Sequence, residues 1–108
     1  MFVKNSETNS TPCGKGVARK ILGRGGRVMM VEVTFRKEAV GEIHAHMHEQ
    51  VSYIHAGSFR FHLDGKEQVL NTGDSVYVGP DLKHGVTALE QPSIIVDIFC
   101  PQRQDFLK

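Results

Sequence analysis

Six histidines fall within 108 residues, and three of them crowd into Gly41-Glu42-Ile43-His44-Ala45-His46-Met47-His48-Glu49-Gln50. On an extended strand residues i and i+2 point the same way, so His44 and His46 set two imidazoles side by side, a seat for a divalent metal ion. A third nitrogen must then come from a distant stretch. His84 is the best donor, because it ends Gly73-Asp74-Ser75-Val76-Tyr77-Val78-Gly79-Pro80-Asp81-Leu82-Lys83-His84, a strand followed by a Gly/Pro turn that presents a side chain at a fixed loop position. His48 shares the parity of His44 and His46, but a turn is expected to intervene and leave it at the mouth or surface of the site. His55 and His62 read as ordinary strand residues facing solvent.

The second chemical signal is a carboxylate in an apolar setting. Asp97 interrupts Ile94-Ile95-Val96-Asp97-Ile98-Phe99, and burying a carboxylate without a partner is costly. It is either a proton-handling group or a hydrogen-bonded or ion-paired core residue. Phe99 shares its parity and reads equally as core or pocket. Pro101 bends the chain beyond it, so that Arg103 can turn back over the strands or remain a solvated C-terminal charge.

The elements that position these residues are strands. Val17 to Leu22 precedes a Gly-Arg-Gly-Gly turn at 23–26, and Arg27 to Phe35 alternates so that Met29, Val31, Val33 and Phe35 share a face. Phe59, Phe61 and Leu63 alternate with Arg60, His62 and Asp64, and Asp64-Gly65 before Lys66 to Leu70 is a hairpin signal. Ser75 to Val78, Val86 to Leu89 and Ser93 to Phe99 complete the series. No stretch carries a sustained helical stripe, and residues 1–16, rich in Asn, Ser, Thr, Lys and Gly, read as an irregular lead-in. The expected class is all-β, a sandwich or small barrel, in a single domain spanning 1–108.

Composition narrows the partners. Thirteen Lys and Arg against 12 Asp and Glu give a net charge of +1, too little to hold a nucleic-acid backbone or an anionic membrane. No apolar run approaches the roughly 20 residues of a membrane span, and the N-terminus holds no signal-peptide core. The expectation is a cytoplasmic protein with no nucleic-acid or membrane partner. Cys13 and Cys100 lie near opposite ends and suit reduced thiols.

These residues resemble the cupin family, small metal-binding jelly-roll β-barrels. Its first motif, a Gly, then HxH, a Glu three or four residues on and a further Gly, is matched by Gly41, His44, His46 and Gly57, with Gln50 at the Glu position. Its second is matched by Gly73, Pro80 and His84, with Asp81 where a Gly is customary and without the later Asn. The resemblance implies His44, His46, Gln50 and His84 as ligands of one divalent ion, whether nickel, zinc, iron, manganese or cobalt. Strand parity favours Gln50 over the adjacent, anionic Glu49. Three imidazoles and an amide leave the full dipositive charge on the ion, which favours an anionic substrate.

A closer likeness joins His44 to Gln50, Lys83 to Glu90 and the C-terminal Ile95 to Leu107 to the pectin-degradation cupins of the KdgF type. Those proteins linearise 4,5-unsaturated monouronates to 5-keto-4-deoxyuronate. The likeness implies Asp97, Phe99 and Arg103 as catalytic-pocket residues: Asp97 to move a proton, Arg103 to clamp the uronate carboxylate, Phe99 to pack on the sugar face. It also implies an acidic sugar substrate and a homodimer. The competing readings are a metal-dependent dioxygenase or isomerase on another small organic acid, and a non-catalytic sugar-binding cupin.

Overall fold

The computed structural model describes all of residues 1–108. Ten strands run in order: β1 (Thr11–Gly14), β2 (Val17–Gly25), β3 (Val28–Phe35), β4 (Val40–His44), β5 (Glu49–Ala56), β6 (Ser58–Leu63), β7 (Lys66–Asn71), β8 (Ser75–Val78), β9 (His84–Ala88) and β10 (Ser93–Cys100). They form a six-stranded antiparallel sheet, β1-β2-β3-β10-β5-β8, facing a four-stranded one, β4-β9-β6-β7. The only helical segments are short 3-10 turns at Asn5–Glu7 and Gln104–Leu107, and no helix is long and apolar enough to cross a membrane.

Alternation explains the layers. Along β3, Met29, Val31 and Phe35 are buried, as the period-2 pattern requires, and Val33 is half-buried. Phe59 and Phe61 of β6 join Phe35 from the opposite sheet, with Phe35 and Phe59 edge to face at 5.1 Å between centroids. Ile54, Val78, Val86, Ala88 and Ile95 close this main core. A smaller cluster of Met29, Val31 and Phe99 lies apart from it, covered by Ile21, Phe106 and Leu107. The 3-10 turn after Arg103 thus folds back to finish the core beside the histidines.

Two turns have the predicted chemistry. Asp64 and Gly65, at φ 49° and 80°, form a two-residue hairpin between paired Leu63 and Lys66, the geometry that favours Asp-Gly. Gly57, at φ 72°, joins β5 to β6, and a Cβ there would lie 2.8 Å from the Pro92 carbonyl oxygen. Only glycine fits that crossing.

Other expectations are corrected. Residues 1–16 are not irregular throughout: they hold the first 3-10 turn and β1, which pairs with β2 through Thr11 and Arg19. This edge strand is exposed at every position, so ladder hydrogen bonds make it and no apolar pattern announces it. The turn expected at 23–26 falls at residues 26–27, after a bulge between Ile21 and Arg24 prolongs β2. Strand β5 lacked the expected signal because two of its inward residues, Gln50 and Ser52, are polar. Finally, β4 ends at His44, and His46 lies in the following loop.

Candidate metal centre

The three histidines converge from both motifs. His44, the last residue of β4, pairs directly with His84, the first of β9, and the loop after β4 brings His46 alongside. Ring centroids lie 4.5 Å apart for His44 and His84, 4.8 Å for His46 and His84, and 5.3 Å for His44 and His46. One nitrogen from each falls within 4.8 Å of the others. The expected strand parity of His44 and His46 is replaced by a loop, yet the rings still meet.

Backbone carbonyls fix two of the tautomers. Nδ1 of His44 lies 2.8 Å from the Glu42 oxygen, and Nδ1 of His84 lies 2.9 Å from that of Leu82. A carbonyl only accepts, so each Nδ1 carries hydrogen and each Nε2 keeps its lone pair free. Both ring nitrogens of His46 are buried without a protein partner. Burial, reinforced by the charges of Arg103, His84, His44 and His48, lowers the His46 pKa to about 4. Burial also lowers that of His84, against a backbone hydrogen bond to Leu82 that raises it. Both rings are therefore neutral at pH 7, the form that ligates metal.

Gln50 and Glu49 lie on opposite faces of β5. Glu49 is exposed on the outer side, whereas Gln50 is 5% exposed and faces inward. Gln50 pairs with Phe99 across the ladder, and the Phe99 ring in turn packs 5.8 Å from that of His46. Its Nε2 donates to Ser52 Oγ at 2.9 Å, while its Oε1 is buried with no partner. An unpaired buried polar atom costs about 1–3 kcal/mol. Orphaned acceptors on His46 and Gln50, with two pre-oriented Nε2 atoms, fit a bound divalent cation.

Asp97 pairs with Ser52 across the same ladder, two residues from the Gln50–Phe99 pair. It accepts the Ser52 hydroxyl at 2.6 Å. Burial raises its pKa to about 6, against the lowering effects of that hydrogen bond, Arg103 and His44. Phe99 is both core and site: it is 2% exposed in the smaller cluster and its ring touches His46, His48 and Phe106. Arg103 is not a solvated tail charge. Its side chain is 11% exposed, its guanidinium lies 5.1 Å above Phe99 and 4.2 Å above Phe106, and it grips Asp105 through Nε and one terminal nitrogen.

Three groups here carried no sequence expectation. Ser52 was signalled only by being polar at an inward position of an alternating strand, and Asp105 and Phe106 depend on how the last turn folds back. Of the remaining histidines, His48 packs 5.1 Å from His46, His55 is exposed and His62 pairs with Glu67 at 3.3 Å. Cys13 and Cys100 are free thiols.

Comparison with known proteins agrees with this geometry. The Cupin_2 family, described as a cupin domain, matches residues 31–99. The chain is 40% identical over 104 residues to the pectin degradation protein KdgF of Dickeya dadantii (strain 3937), covering 95% of this chain and 94% of that protein. Its fold superposes on KdgF from Halomonas sp. with a TM-score of 0.95 at 34% identity, covering 98% of this chain and 97% of that one. It superposes on an RmlC-like cupin from Shewanella frigidimarina NCIMB 400 with a TM-score of 0.93 at 39% identity, covering 97% and 94%. The chain belongs to the cupin family, and within it to the cupins related to KdgF.

Proposed function

We propose that this cupin, as one domain of residues 1–108, is a metal-dependent enzyme that converts 4,5-unsaturated monouronates from pectin or alginate breakdown to linear 5-keto-4-deoxyuronate. One observation carries the reading: a histidine cluster with orphaned acceptors sits beside a carboxylate whose pKa is raised to about 6 and a half-committed guanidinium. The relationship to KdgF supplies the substrate class.

His44, His46, His84 and Gln50 would hold the ion. When bound, it supplies positive charge that orients the anionic substrate and polarises an oxygen on it.

The protein's own groups account for the proton chemistry. The cyclic substrate is an enol ether closed through a hemiacetal carbon. Asp97 takes the proton of the anomeric hydroxyl as the bond from the anomeric carbon to the ring oxygen breaks, leaving an aldehyde and an enolate. The same proton returns to C4, so the ring oxygen becomes the C5 ketone and the product is an isomer of the substrate. A carboxyl titrating at about 6 both accepts and returns a proton near neutrality. Arg103 commits two of its donors to Asp105, which leaves three of its roughly five N–H groups for the substrate carboxylate. Phe99, 2% exposed, forms the packed floor on which His46 and the Arg103 guanidinium rest, backed by Phe106.

The assembly we propose is a cytoplasmic homodimer. Met30, Ile98, Val51 and Tyr77 form an apolar row across β3, β10, β5 and β8 on the outer face of the large sheet, and Ile98, Val51 and Tyr77 of that row are exposed. Such a patch suits a two-fold contact, and the free thiols suit a reducing compartment.

The test is to incubate metal-loaded protein with lyase-generated unsaturated galacturonate or guluronate and follow loss of the alkene absorbance. Acceleration over the spontaneous rate is expected. Its absence would overturn the proposal.

A further inference from the structure

The inner face of β5 carries Gln50 and Ser52 in succession, and β10 presents Phe99 and Asp97 opposite them. Ser52 is wholly buried and touches both polar neighbours: Gln50 Nε2 donates to its oxygen at 2.9 Å, and its hydroxyl donates to Asp97 Oδ1 at 2.6 Å. A hydroxyl has one proton to give. Once that proton points at the carboxylate, the serine oxygen is an acceptor only, and the neighbouring amide must present its NH2 group. Oε1 is thereby turned away, and it is the atom left buried without a partner.

An amide is nearly symmetric in shape, and only its nitrogen end is useless to a cation. Nothing else in the structure bonds to the Gln50 side chain. We infer that Ser52 is the positioning residue that commits the Gln50 carbonyl oxygen to the metal centre, by tying the orientation of that amide to the Asp97 carboxylate.

The inference rests on the metal-binding reading proposed above and adds a residue to it. It also gives the carboxylate a second part: Asp97 reads out at the centre through Ser52, although it is not a ligand. Groups that orient metal ligands typically cost about 10–100-fold in affinity when removed.

The experiment is a double-mutant cycle on the full chain with Co2+ alone as probe, read by calorimetry and by the visible bands of the bound ion. Ser52→Ala should weaken Co2+ about 10–100-fold and shift the bands, while in a Gln50→Ala background the same change should alter affinity by less than about twofold. Unchanged affinity and bands in Ser52→Ala would overturn the inference. So would an equal loss in both backgrounds, which marks a general structural effect. If Ser52→Ala does not fold, Ser52→Cys, which keeps the size but donates weakly, carries the same comparison. Wild-type protein that takes up no Co2+ would overturn the metal reading itself, and the role of Ser52 with it.

Discussion

Arg103 holds Asp105, two residues along the chain, by paired hydrogen bonds of 3.0 and 2.8 Å. The pair sets the plane of the guanidinium against the Phe106 ring at 4.2 Å and leaves one edge uncommitted. A substrate carboxylate meeting that edge would find donors already oriented. Asp105→Ala should therefore raise KM several-fold with kcat nearly unchanged, because a positioned binding contact is lost and no proton transfer is touched. Arg103→Lys, which cannot form the fork, should cost about 1–3 kcal/mol in kcat/KM. Steady-state kinetics of both variants test this, and a fall in kcat alone would contradict it.

Asp97→Asn, whose amide oxygen can still accept the Ser52 hydroxyl, should keep its metal and lose about 10^2–10^4 in rate, the usual worth of a positioned acid–base group. Its stability effect has a defined sign. Asp97 has a folded pKa of about 6 against 3.8 for an unperturbed aspartate carboxyl, so its favourable contribution is present below pH 3.8 and is lost as pH rises through 6. The metal-free Asn variant should match wild type near pH 3.5 and exceed it at pH 8 by at most about 3 kcal/mol, at ~1.4 kcal/mol per pKa unit. Urea unfolding at both pH values measures the difference.

His46 works in the opposite direction. Its folded pKa is lowered to about 4 from 6.5, so the metal-free fold is unpenalised above pH 6.5 and loses stability as the pH falls toward 4, where the unfolded chain binds the proton first. In His46→Gln this part of the acid sensitivity should vanish. An unchanged slope of stability against pH between 4.5 and 6.5 would sink the assignment.

A divalent ion at about 100 times its Kd stabilises a fold by about 2.7 kcal/mol, which for a domain of this size raises Tm by on the order of 10 °C. Chelator should reverse the shift. His84→Ala should abolish it, since His84 Nε2 is one of two nitrogens whose tautomer the backbone presets. Calorimetric scans with and without the ion decide the matter.

Val51 lies in the middle of the exposed apolar row on the large sheet, between Ile98 and Tyr77. Val51→Glu should convert a dimer to a monomer without loss of β-sheet signal, measured by sedimentation. A wild-type monomer, or a variant that remains dimeric, would refute pairing through this face.

The legible parts of this protein are those set by short-range spacing. The Gly/Pro turn before His84, the Asp64-Gly65 hairpin and the lone Asp97 on an apolar strand each follow from neighbours a few residues away, where side-chain parity and turn chemistry act directly. The closeness of His44 and His46 was legible in their spacing, although a loop after β4 and not strand parity brings the rings together. What only the tertiary structure decided depends on register between distant strands. The β5–β10 ladder sets Ser52 against Asp97 and Gln50 against Phe99, 45 residues apart in the first case, and so determines which end of the Gln50 amide is bonded to Ser52 and which is left without a partner. The polar inward residues of β5 hid that strand, because its hydrophobic alternation is interrupted where the site is built. The capture of Arg103 by Asp105 likewise needs the final turn to fold back on Phe99, and long-range packing, with no periodic signal of its own, makes it do so.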